Sequence, residues 1–97
     1  MYARVARWEG ADADALRRSA QDMSGRVDEG PPEGVPAMGF TMLIDPDAGT
    51  SMAISFFANE EDMRKGDEAL NAMTPNDDGV GRRVSVETYE VPIEVRI

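Results

Sequence analysis

The 97-residue sequence predicts an α+β fold in the order strand–helix–strand–strand–helix–strand. Three observations carry this. Two alternating apolar runs, Met38/Phe40/Met42/Ile44 and Met52/Ile54/Phe56, flank a short Pro/Gly turn, the pattern of an antiparallel hairpin. A helical stripe follows at once: Met63, Gly66, Leu70 and Met73. One strand and one helix precede this block, and one strand closes it. With right-handed crossovers, that order gives one four-stranded antiparallel sheet, order 4-1-3-2, with both helices on one face.

Each element has its own justification. Residues 2–9 (YARVARWE) read as the first strand, ended by Gly10. Asp12 or Asp14 can cap the first helix, whose stripe is Leu16, Ala20 and Met23, reaching toward Val27. Arg17 and Arg18 fall off that stripe and read as solvated surface. Residues 25–36 (GRVDEGPPEGVP) have no periodicity and read as a loop, either a connector or the flank of a pocket mouth. In the hairpin turn, Pro46 presets φ and Gly49 can take the left-handed position. Asn59 can cap the second helix, with Asp62 reaching back as in a capping box and Glu60 and Glu61 on the helix dipole. Gly66 inside that helix costs roughly 1 kcal/mol relative to Ala, which a close approach to the sheet would explain. Residues 74–81 are a second loop; the adjacent Asp77 and Asp78 lack the spaced ligands of a calcium loop, so no metal site is expected. Residues 82–91 form the last strand, and Pro92 interrupts its pairing. Residues 1–92 are thus one domain. In the tail, 93–97, Ile93, Val95 and Ile97 alternate, and it is expected to dock on a partner subunit.

Composition bounds the function. A net charge of −9 repels phosphate backbones and anionic membranes, so no nucleic-acid or membrane partner is expected. No apolar run is long enough to span a bilayer, and no secretory leader is visible, which points to the cytoplasm. Without cysteine, neither disulfides nor thiolate metal sites are available. The Arg, Ala, Gly and Asp bias is that of a GC-rich bacterial genome. Nucleotide, zinc and hydrolase motifs are missing from the sequence.

Assigning the more apolar side of each strand to the helices puts Ala3, Val5, Met38, Phe40, Met42, Ile44, Met52, Ile54, Phe56, Val84 and Val86 against them. The other side then carries Tyr2, Arg4, Trp8, Phe57, Glu87 and Tyr89, with Arg4 and Glu87 placed to form an ion pair. Aromatics and Arg among scattered polar groups describe an interface. This predicts a homodimer packed sheet against sheet.

Several segments resemble the antibiotic biosynthesis monooxygenase-like family. They are the opening MYARV-A-RWEG strand, Pro36-Ala37-Met38-Gly39-Phe40 before the hairpin, the junction FFANEEDM and the closing VSVETYEV. The resemblance implies a ferredoxin-like fold and a dimeric α+β barrel. It also implies either a protein that binds a small apolar or aromatic molecule between sheet and helices, or a cofactor-independent monooxygenase acting on a phenolic or quinol-like substrate. The heme-degrading branch uses an Asn on the first strand, and a Trp and a heme-ligating His from the second helix. This chain has no His, no Asn on that strand and no Trp on that helix, so no cofactor is expected. The candidate pocket is then Arg7, Phe40, Met42, Phe56, Asn59 and Met63. Arg7 can stabilise an oxyanion or reach solvent, the Phe and Met residues can line a cavity or fill the core, and Asn59 can contact a ligand or only cap. Trp8 and Tyr89 can anchor the interface or stack on an aromatic ring.

Overall fold

A computed structural model describes residues 1–26, 29–72 and 81–97. The element order is β1 (Tyr2–Glu9), α1 (Ala13–Arg26), β2 (Gly39–Asp45), β3 (Thr50–Phe57), α2 (Glu60–Ala72) and β4 (Arg82–Glu90). The sheet is antiparallel with order β2-β3-β1-β4, the predicted topology read from its other edge. α1 packs over β2, and α2 over β1 and β3. Met73, Asp77 and Asp78, and Val27 of the first predicted stripe, lie outside the described residues.

Local chemistry fixes the ends of the elements. The Asp12 carboxylate accepts the Asp14 amide at 3.2 Å and starts α1. Asn59 Oδ1 accepts the Asp62 amide at 2.8 Å as an N-cap, and Asn59 Nδ2 donates to the Asp62 carboxylate at 3.4 Å, a side-chain contact in place of the expected reach back to the Asn59 backbone amide. In the hairpin, Gly49 sits at φ +71° and its amide donates to the Asp45 carbonyl at 2.9 Å. The Gly49 carbonyl in turn accepts the Ala11 amide at 3.1 Å, tying the turn to the start of α1.

The core sits at one end of the sheet. Phe57 is fully buried and packs with Val35 and Met63, flanked by Tyr2, Ala37, Ala69 and Leu70. A Cβ at Gly66 would lie 2.4 Å from the Phe57 ring, so glycine here is what lets α2 lie directly on the aromatic. The loop before β2, expected to be featureless, contributes Val35 as a core plug, 5% exposed. α1 buries Ala15 and Leu16, and Ala20 is only half-buried. Met23, expected on the α1 core stripe, is exposed.

The face assignment is corrected. The hairpin pairs Asp45 with Thr50, so Met42 lies opposite Ala53 and Phe40 opposite Ser55. Residues directly opposite share a face. The apolar rows of β2 and β3 therefore point to opposite sides of the sheet. Tyr2 and Phe57 pack with Met63 of α2, and Arg4 binds Asp67 of the same helix, which fixes the helix side. By alternation that side carries Tyr2, Arg4, Ala6, Trp8, Phe40, Met42, Ile44, Ser51, Ala53, Ser55 and Phe57. The open side carries Ala3, Val5, Arg7, Leu43, Met52, Ile54, Phe56, Glu87 and Tyr89.

Candidate functional site

The helix side of the central strands is built in rows. Across β1, β3 and β2 these are Arg4–Ser55–Phe40, Ala6–Ala53–Met42 and Trp8–Ser51–Ile44. Small side chains make the floor: Ala6 is fully buried, and Ser51 and Ser55 are each 7% exposed. Larger apolar groups of β2 flank it on one side, and Arg4 and Trp8 stand on the other.

Arg4 is 5% exposed and makes two hydrogen bonds to α2. Its Nε donates to Asp67 Oδ1 at 2.7 Å and its Nη2 to Asn71 Oδ1 at 2.9 Å. Arg83 Nη1 donates to the same Asn71 oxygen at 3.1 Å. A guanidinium taken out of water needs such partners, and α2 supplies them at i and i+4. The expected pairing of Arg4 with Glu87 does not occur. The sequence signal for the true partners was a carboxylate and an amide spaced four apart on α2, directly after Met63 and Gly66.

The far row behaves differently. Trp8 Nε1 and Ser51 Oγ are buried and have no hydrogen-bond partner among the described residues. An unsatisfied buried polar group costs about 1–3 kcal/mol.

The open side carries a second polar group. Arg7 Nε donates to Glu87 Oε1 at 2.6 Å, and the Tyr89 hydroxyl donates to Glu87 Oε2 at 2.7 Å. The Arg7 guanidinium and then the Tyr89 hydroxyl hold the Glu87 carboxyl below its ordinary range. Accepting both bonds, Glu87 raises Arg7 and Tyr89 above theirs. At this end of the sheet lies a depression of about 370 Å³ lined by residues of both faces: Arg7, Leu43 and Met52 from the open side, and Trp8, Ile44 and Ser51 from the helix side, with Glu9, Asp45, Thr50 and Val84. A shallower one of about 660 Å³ continues along Glu9, Thr50 and Arg82.

The candidate pocket of the sequence is therefore split by the sheet. Phe40 and Met42 stand on the helix side, whereas Arg7 and Phe56 stand on the open side. Met63 is buried against Phe57, and Asn59 is spent as an exposed helix cap. The candidate interface is split too: Glu87 and Tyr89 face the open side, but Tyr2, Arg4, Trp8 and Phe57 face the helices. The reason is the one-residue parity set by the hairpin, which a strand-by-strand reading of hydrophobicity does not see. Ser51 and Ser55 were missed because isolated serines in a strand carry no signal of their own.

No family model matches the sequence, and no curated protein matches it. Solved structures do match. The heme degrader MhuD from Mycobacterium tuberculosis, solved with two hemes bound in its active site, aligns with a TM-score of 0.69 at 14% identity, covering 99% of this chain and 100% of that one. A putative antibiotic biosynthesis monooxygenase from Deinococcus radiodurans aligns with a TM-score of 0.59 at 13% identity, covering 100% and 98%. At these identities the likeness speaks to architecture, and the chain has the ferredoxin-like α+β fold that these two proteins share.

Proposed function

We propose that this chain is a homodimer, sheet against sheet, in which each subunit holds a small apolar or aromatic molecule between its sheet and its helices. The observation that carries the binding reading is the helix-side floor. Ala6, Ala53, Ser51 and Ser55 leave the middle of the sheet low, between Phe40, Met42 and Ile44 on β2 and Arg4 and Trp8 on β1. Apolar walls with a few fixed polar groups are the usual make-up of a small-molecule site. Titration of the labelled protein with indane, followed by amide NMR, tests it. Saturable shifts at Ala6, Met42 and Ala53 are expected; shifts confined to the open side would contradict the placement.

The dimer reading is supported by the open side itself. Leu43 and Tyr89 are close to half exposed, and Met52, Ile54 and Phe56 are only partly covered. Such a face is more apolar than the one first assigned to the interface, so the correction of faces strengthens the case for a covering second sheet. The tail belongs to the same reading: Ile93 and Val95 are over 70% exposed and docking on the partner subunit would cover them.

Likeness to a protein described as a putative antibiotic biosynthesis monooxygenase favours a second reading, cofactor-independent oxygenation of a phenolic or quinol-like substrate. The cation that β1 presents to the helix side is then Arg4, in place of Arg7. Oxygen uptake with a panel of hydroquinones and anthrones is expected to exceed the buffer rate if this holds; uptake at the buffer rate across the panel would count against it. The heme of MhuD does not fit this chain. The chain has no His for the iron, and α2 is seated on the Phe57 ring at Gly66.

A further inference from the structure

We propose that Trp8 Nε1–H and Ser51 Oγ–H are the recognition donors of the helix-side site, and that its ligand is a neutral apolar ring bearing a carbonyl oxygen. This rests on the binding reading above and adds the polar group the ligand must present. Both atoms are buried, and neither has a partner among the described residues. Trp8 and Ser51 lie directly opposite one another across β1 and β3, so both side chains rise from neighbouring points on one side of the sheet. Ser51 is 7% exposed, so bulk solvent does not complete its bonding. The same face satisfies its polar group elsewhere: Arg4 meets both Asp67 and Asn71. The unmet demand is therefore local to one row.

The chemistry of that row selects the ligand. An indole N–H can only donate, and a hydroxyl can donate beside it. A group that answers both must accept twice, which a carbonyl oxygen does through its two lone pairs. A carboxylate would also accept twice, but of the cations on that face Arg4 already holds Asp67, and Arg83, directly opposite Trp8, is exposed and donates to Asn71; a charge buried at Ser51 away from both is costly. Toward β2 the neighbours, Ile44, Ala6, Ala53 and Met42, are apolar, so the part of the ligand that lies there is hydrocarbon; Arg83 borders the row only on the β4 side.

The test uses 1-indanone and indane, one ring system with and without the carbonyl, titrated calorimetrically into the full chain. The wild type is expected to bind 1-indanone at least tenfold more tightly than indane. Ser51→Ala and Trp8→Phe are each expected to weaken 1-indanone tenfold while leaving indane unchanged. Because the hydroxyl is unpaired in the free protein, Ser51→Ala is further expected not to lower the ligand-free Tm. Equal binding of the two rings by the wild type would overturn the donor assignment and leave the binding reading standing. Binding of neither would overturn both. A lower Tm for Ser51→Ala would overturn the assignment as well, since the hydroxyl would then have a structural partner such as a buried water.

Discussion

Gly66 and Phe57 set the distance between α2 and the sheet. Ala is the better helix former by about 1 kcal/mol, so propensity alone favours Gly66→Ala. A Cβ 2.4 Å from the buried Phe57 ring opposes it, and overpacking a core costs about 1–3 kcal/mol. The contact is expected to win, and urea denaturation of Gly66→Ala should show a lower midpoint than wild type. A second residue-scale expectation concerns acid. Glu87 titrates below its ordinary range because Arg7, and then Tyr89, donate to the carboxylate. A lowered folded-state value means this stabilisation is complete above the ordinary carboxylate range and lost as pH falls through the folded value. Glu87→Gln should therefore flatten the acid limb of the stability–pH curve, measured by urea midpoints between neutral and low pH. An unchanged limb would show that the group contributes nothing to acid sensitivity.

At the scale of elements, the start and the middle of α2 can be tested. Asn59→Ala removes an N-cap whose amide bond is 2.8 Å, and a loss of about 1 kcal/mol is expected by thermal or urea unfolding. Asp67→Ala removes the carboxylate that Arg4 holds at 2.7 Å with Arg4 almost fully buried. A hydrogen bond to a charged group is worth about 1.5–3 kcal/mol, so this change should cost more than Glu61→Ala, whose pair with Lys65 is exposed on both sides. Equal costs would mean that Arg4 finds water instead. These elements were legible in advance because their signals are local. Asn59 with Asp62, Gly49 after Pro46 and the alternation of β1 each act over a few residues. The faces were not legible in the same way. They depend on the pairing of Asp45 with Thr50 across the hairpin, and one residue of parity reverses a whole row. Val35 was missed for a related reason: a lone valine between Gly and Pro has no period, and only the packed chain shows that it plugs Phe57.

For the whole molecule, the topology followed from element order and handedness, whereas the candidate pocket did not, because it depended on the inverted faces. The corrected open side gathers Ala3, Val5, Met52, Ile54, Phe56 and Leu43 around the Arg7–Glu87–Tyr89 group. Ile54 lies in the middle of this side, opposite Val5 on one flank and Thr41 on the other. A second sheet laid over it would desolvate that residue, so Ile54→Asp should yield a folded monomer by sizing and circular dichroism. The most direct measurement is sedimentation equilibrium of the unmodified chain at micromolar concentration. A sheet-to-sheet dimer is expected to show twice the 10.6 kDa chain mass, persisting on dilution through that range; a single species at 10.6 kDa would contradict it.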